Sequence, residues 1–233
     1  MTTKTFTELD FLLYRRCPKL AWHAHPDSLF PKKDAESDHL KQYMAPFLSP
    51  NIENCHNTLL SPQEFKDKLN PKQSLVLLSP TITCDTLTIH PDLILISSKG
   101  FKLYFISPTH KVTTMALHYL SLWNFALSKH HLTPRSSHCL TINSHYVFNK
   151  KELGYNLFIN HNITHKIHFR RTSIEKNHKA LCLLKSNSNL PKVEFNINCI
   201  KPTPCFHFEK CWPALQTSNM FHLYGLSIHK KIY

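Results

Sequence analysis

The stretch HPDLILISSKGFKLYFISPTHK, residues 90–111, decides how the rest of the chain is read. Two apolar runs, DLILIS (92–97) and FKLYFIS (101–107), are rich in β-branched and aromatic residues, follow Pro91 and are separated by Lys99-Gly100. Runs of this kind around a two-residue turn predict a β-hairpin. Upstream, SLVLLS (74–79) and TLTI (86–89) have the same character and are punctuated by Pro80, so four closely spaced strands are expected. Downstream, TTMALHYLSLWNFALS (113–128) puts Met115, Tyr119, Leu122, Trp123 and Ala126 on one helical face, a helix suited to packing on that sheet. HCLTINSHYVF and ELGYNLFIN supply two further strands, and residues 164–185 a long basic helix containing Ile167, Ile174 and the apolar cluster 181–184.

Before the hairpin, FTELDFLLYR (6–15) has Phe6, Leu9 and Leu13 at helical spacing, with Pro18 expected to stop the run and leave Cys17 at its end. Residues 34–47 read as an amphipathic helix with Leu40, Tyr43, Met44 and Phe47 inward. Residues 50–73 are polar and proline-punctuated, and are expected at the surface apart from a short helix at 62–69. The order of elements predicts a single α/β domain over 1–233, with a mixed central sheet drawn from 74–147. Its parts are an N-terminal helical region (1–70), the core sheet and helix (71–150), further strands and a basic helix (151–198) and a cysteine-rich tail (199–233).

Of 233 residues 42% are hydrophobic, enough for a sizeable core without disulfide staples. Lys and Arg number 28 against 15 for Asp and Glu, a net charge of +13 that favours acidic partners such as DNA or RNA. Only three glycines exist, which excludes glycine-rich phosphate loops, and no G-x-S-x-G nucleophile motif occurs. No small-molecule substrate is indicated. No apolar run approaches the roughly 20 residues of a spanning helix, and Glu8 and Asp10 interrupt the first apolar stretch, which has no small-residue cleavage site. A soluble, cytoplasmic chain without a membrane partner is therefore expected. Basic residues cluster at Arg15 and Arg16 and at Arg170 and Arg171; these pairs are the candidate phosphate contacts, with a plain solvated face as the alternative.

In a reducing compartment eight cysteines read as buried thiols or as metal ligands. Cys84, Cys139 and Cys182 lie in or beside apolar runs, and Cys55 in a polar loop. Cys199, Cys205 and Cys211, in CIKPTPCFHFEKCW, are each separated by five residues, and Cys17 in RRCPKLAW is the candidate fourth ligand. The C-x-x-C spacing of zinc ribbons is missing, whereas an iron-sulfur cluster uses four thiolates at wider spacing. Zinc and an unligated cysteine-rich tail stay open as alternatives.

FTELDFLLYRRCPKLAW resembles the opening of the domain of unknown function 2779 family, and the cysteine trio ending in Cys211-Trp212 resembles its close. That family lies in the iron-sulfur, RecB-like branch of the PD-(D/E)XK nucleases, related to the CRISPR spacer-acquisition exonucleases. The resemblance implies a restriction-endonuclease-like mixed sheet flanked by helices. It also implies a [4Fe-4S] cluster on Cys17, Cys199, Cys205 and Cys211 that joins the N- and C-terminal segments.

A PD-(D/E)XK centre needs an Asp heading one strand and an acid-x-Lys on the next, because a hard divalent cation asks for carboxylate oxygens and the Lys assists the attacking water. Pro91-Asp92 matches the first half, but the acid and the Lys fall on Phe105 and Ser107. Between Lys68 and Lys151 the only carboxylates are Asp85 and Asp92. Asp92 is thus either a vestigial metal ligand or a turn residue; Asp85 is the weaker candidate. Lys102, Lys111 and His110 are out of register, and His39, Glu36 and Gln42 on the 34–47 helix are equivalent candidates for a helical ligand, with solvated polar positions on an amphipathic helix as the preferred alternative. The expected function is that of a catalytically degenerate nuclease-like iron-sulfur protein that binds nucleic acid or acts as a scaffold. The alternatives are an active DNA nuclease using Mg²⁺ or Mn²⁺ with Asp92, Asp85 and a displaced Lys, and a protein-interaction or effector protein with no nucleic-acid role.

Overall fold

In the computed structural model, which describes residues 5–23, 35–55, 58–69, 71–147, 154–187, 189–200, 205 and 207–213, the hairpin of 93–107 is central to a six-stranded sheet. The chain opens with β1 (Phe6–Thr7), α1 (Glu8–Arg16), α2 (Pro18–His23) and α3 (Ala35–Leu48). Then come β2 (Ile52–Asn54), β3 (Leu59–Leu60), α4 (Pro62–Asp67), β4 (Leu75–Leu78), β5 (Thr81–Cys84) and β6 (Leu87–Ile89). The hairpin strands β7 (Leu93–Ser97) and β8 (Gly100–Ser107) precede α5 (Thr114–Ser128), β9 (Ser136–Ile142) and β10 (Phe158–Asn162). The last elements are α6 (Thr164–His168), α7 (Arg171–Ser186) and the single-turn α8 (Phe208–Cys211).

The architecture is α/β with two mixed sheets flanked by helices. The larger sheet has the order β10-β9-β8-β7-β4-β2 and the smaller β1-β6-β5-β3. The expected single sheet is therefore corrected: TLTI pairs with β5 and β1, away from the hairpin. Strands β8 and β9 are parallel neighbours, which requires a crossover, and α5 supplies it. Thr113 caps that helix, its hydroxyl accepting the Ala116 N–H at 3.1 Å. Helices cover both faces of the larger sheet, so β7 and β8 read as nearly continuous apolar runs. Met44 and Ala45 of α3 join Val76, Leu93, Tyr104, Ile106 and Leu140 in one cluster, while Phe105, alternating to the other face, stacks on Tyr119 of α5 at 5.5 Å.

Several local expectations shift. The hairpin loop is Ser98-Lys99, with Ser97 paired to Gly100, whose φ of +104° is costly for any residue with a Cβ. Phe6 is in a strand, and Pro18 starts α2 rather than ending the chain's helical course, because a first-turn proline lacks only an N–H that has no intrahelical partner. The long basic helix is broken at Phe169–Arg170 into α6 and α7. The 50–73 segment contributes β2 and β3, strands of three and two residues, too short to show alternation.

The chain divides into two compact units, one of residues 1–8 and 31–176 and one of residues 9–30 and 177–233. The first holds both sheets. In the second, segments from the two halves of the chain come together: Asp10 and Lys185 form an ion pair at 3.3 Å, and Arg16 Nε donates to the Asn198 carbonyl at 3.3 Å. Among the described residues no helix is long and apolar enough to cross a membrane.

Candidate functional site

Asp92 heads β7 and is 1% exposed, so its carboxylate must be satisfied from within the protein. Its Oδ2 accepts the Ile106 N–H of β8 at 2.8 Å, and its Oδ1 lies 3.5 Å from Lys41 Nζ. Lys41, on α3, is itself 3% exposed and donates to Asp38 Oδ1 at 2.7 Å. It is buried because it extends backwards the helical stripe of Met44, Ala45 and Leu48. The Asp92 carbonyl accepts the N–H of Ser79, a residue held at φ +49°. Ser79, Leu78, Asp38, Gln42 and Asn54 line an open cavity of about 110 Å³. A sparsely populated backbone conformation beside a buried ionic group is a recurrent mark of functional regions.

The remaining expected nuclease positions lie elsewhere or carry other chemistry. Phe105 packs between Tyr119 and Trp123, and Ser107, also buried, bonds the Thr109 hydroxyl at 2.8 Å. Asp85 occupies the tight β5–β6 turn at φ +51°, is largely exposed, and its only described ionic partner is His130 at 3.4 Å. Lys102 pairs with Leu95 and Ser136 across the sheet, and His110 and Lys111 lie in the loop after β8. Of the helical candidates Gln42 lines the cavity, His39 is exposed, and the side chain of Glu36 is outside the described residues. A Mg²⁺ or Mn²⁺ ion does not fit Asp92 as the side chains stand: one oxygen takes a backbone N–H, and the other faces an ammonium.

In the second unit Cys17 lies between α1 and α2, with its N–H donated to the Leu13 carbonyl at 2.8 Å. Cys199 is buried, and the Cys205 N–H donates to its carbonyl at 2.8 Å. Cys211 closes α8 and donates its N–H to the His207 carbonyl at 2.9 Å. Burial foremost pushes the Cys211 thiol upward, Lys19 lowers it, and the thiols of Cys205, Cys17 and Cys199 add to the rise. All four thiols are free. Among the described residues no group of three or more His, Cys, Asp or Glu side chains is gathered at ligating distance.

Cys55, Cys84 and Cys139 are core side chains, whereas Cys182, expected in the core, is only half-buried and lies 3.9 Å from His178 Nδ1. Burial pushes Cys139 to about 11 and Cys84 to about 12. Cys55, expected in a polar loop, is buried as well, its N–H tied to the Leu78 carbonyl beside β4, and burial foremost, with Glu53 adding, raises its thiol to about 11. The basic pairs are partly engaged: Arg170 Nη1 is 3.3 Å from His118 Nδ1, Arg171 lines a cavity of about 160 Å³ with His168 and Thr164, and Arg15 and Arg16 form the last turn of α1.

Reading the sequence missed three residues. Lys41 and Asp38 carried one usable signal, a lysine three and four positions before Met44 and Ala45 on the buried stripe of a helix. Glu8 carried none. Its buried carboxylate accepts the Trp123 indole N–H and the His90 N–H, the latter at 2.6 Å, fastening the start of the chain next to Pro91-Asp92.

No protein-family model matches the chain, and no curated protein matches it.

Proposed function

We propose that the chain is a non-catalytic, nuclease-like iron-sulfur protein that binds nucleic acid or serves as a scaffold. One observation carries the loss of catalysis: Asp92, the only carboxylate in the hairpin, has both oxygens engaged, while Phe105 and Ser107 stand where an acid and a lysine are needed. With no second carboxylate in register a divalent ion keeps mostly water ligands, and nothing on β8 assists attack. A restriction-endonuclease-like core belongs to this proposal; the mixed sheet with helices on both faces supports it. The net charge of +13 supports an anionic partner, and eight free thiols support a reducing, cytoplasmic setting.

The test combines cleavage with binding. Single- and double-stranded DNA and RNA incubated with the protein and Mg²⁺ or Mn²⁺ stay intact, while binding weakens steeply as salt rises, through counterion release. Binding to none of these at low salt would transfer the chain to the third reading, an interaction protein without a nucleic-acid role. The second reading is an active divalent-metal-dependent DNA nuclease using Asp92, Asp85 and a displaced lysine. Cleavage that disappears in Asp92→Ala would establish it.

The proposal assigns a structural [4Fe-4S] cluster to Cys17, Cys199, Cys205 and Cys211, whose thiolates would hold iron and so tie the two segments of the second unit. Protein purified without oxygen is then brown, absorbs near ~400 nm and contains iron and sulfide. Stoichiometric zinc without iron would replace the assignment.

A further inference from the structure

We infer that the corner between α6 and α7 is a seat for single-stranded nucleic acid, with Phe169 as the stacking platform for a base and Arg171 with His168 as the anchor of an adjoining phosphate. The inference rests on the nucleic-acid reading above and gives it a place and a strand form. Ile167 and Ile174 are buried, whereas Phe169, which closes α6 just before α7 begins at Arg171, is left 72% exposed. A single exposed apolar side chain is ordinary, so its surroundings decide. The rings of His165 and His168 stand across that of Phe169, with centroids 4.7 and 6.4 Å away. His168 also lines, with Arg171, the cavity of about 160 Å³. The described wall of that cavity has Phe125, Pro134 and Ile167 as its apolar part and carries no Asp or Glu. Lys129, at the end of α5, sits 4.9 Å over the Phe125 ring and adds another cation.

An open aromatic ring beside a cationic cleft suits a single strand, because an unpaired base can lay its face on the ring while the backbone charge is neutralised next to it. In a duplex those faces are covered by neighbouring pairs. The cavity adjoins α5, whereas Asp92 meets Lys41 of α3 across the sheet, so this seat is separate from the hairpin carboxylate. The probes are labelled oligothymidine and oligouridine of about 15 nucleotides and a duplex of the same length, followed by fluorescence anisotropy with the full chain. Wild type binds the single strands more tightly than the duplex. Phe169→Ala weakens single-strand binding about 5–150-fold and leaves its salt slope unchanged. Arg171→Ala lowers the salt slope by about 0.7, the loss of one phosphate contact. Phe169→Trp keeps wild-type binding, and Leu183→Ala, which removes another exposed apolar side chain, changes nothing.

A corner with only a structural role would lower Tm in both variants and move affinity and salt slope together, so the split between the two readouts belongs to the seat. Should Phe169→Ala fail to fold, Phe169→Leu takes its place, since it keeps an apolar side chain and removes the ring. These signatures with oligothymidine or with oligouridine support the seat and tell DNA from RNA. The inference is overturned, and the nucleic-acid reading kept, if wild type binds single strands and both variants bind them equally well, or if wild type prefers the duplex. Binding to no strand at low salt overturns both, and leaves Phe169 to a protein partner.

Discussion

A carboxylate as deeply buried as Asp92 survives in the charged form only where donors face it, and here a backbone N–H and an ammonium do so. Asp92→Ala removes both partnerships, leaves the buried Lys41 with Asp38, and is expected to cost about 3–5 kcal/mol in urea unfolding. Asp92→Asn costs less, because an amide oxygen still accepts the Ile106 N–H. The thiols give a second prediction. Cys84 is raised from 9.0 to about 12 by burial foremost, with Asp85 adding to the rise. With the folded pKa above the unfolded one, the unfolded thiol releases its proton first. The contribution is full below 9.0 and is lost as pH rises towards about 12. Urea midpoints measured across that range fall, and Cys84→Ala flattens part of the fall. At this scale the sequence was legible where the chemistry is local: Asp92 behind a proline, Phe105 and Ser107 in place of acid and lysine. Lys41 was not, since the direction of a long flexible side chain depends on what α3 packs against.

At the scale of elements, turn chemistry and capping carry the local stability. A Cβ built at Gly100 would meet nothing within 4 Å, so Gly100→Ala tests the positive φ alone. It is expected to cost about 1–2 kcal/mol in denaturant unfolding, with the hairpin register unchanged. Ser61 and Glu64 form a capping box on α4, Ser61 Oγ accepting the Glu64 N–H at 3.2 Å and Glu64 Oε2 accepting the Ser61 N–H at 2.6 Å. Ser61→Ala is expected to cost about 0.5–2 kcal/mol by the same measurement. Elements with a full period of apolar residues, such as β7, β8 and α5, were visible from pattern. Short β2 and β3 were not, because two or three residues display no period and become strands only when β4 and β5 offer them partners.

At the scale of the molecule, residues 9–30 and 177–233 share one compact unit while both sheets belong to the other. If a cluster ties that unit, Cys205→Ser lowers the absorbance near ~400 nm and speeds amide exchange in α2 and around Cys199. Protection in β7, β8 and α5, which have a core of their own, stays unchanged. Exchange that accelerates equally in both units would contradict a structural role confined to the second.

The sequence by itself determined the hairpin, the helix that follows it, the strongly basic charge and the missing acid-x-Lys, because each is set by neighbours a few residues apart. Tertiary structure alone decided that TLTI leaves the central sheet for a second one, that Phe6 becomes a strand, and that Glu8 closes on Trp123. It also brought Lys41 and Asp38 to Asp92. The pairings of Phe6 with β6, of Glu8 with Trp123 and of Lys41 with Asp92 join residues separated by about 50 to more than 100 positions, and no local propensity encodes them. They form where packing α3 and α5 on opposite faces of the sheet leaves a buried charge that only a distant partner can satisfy.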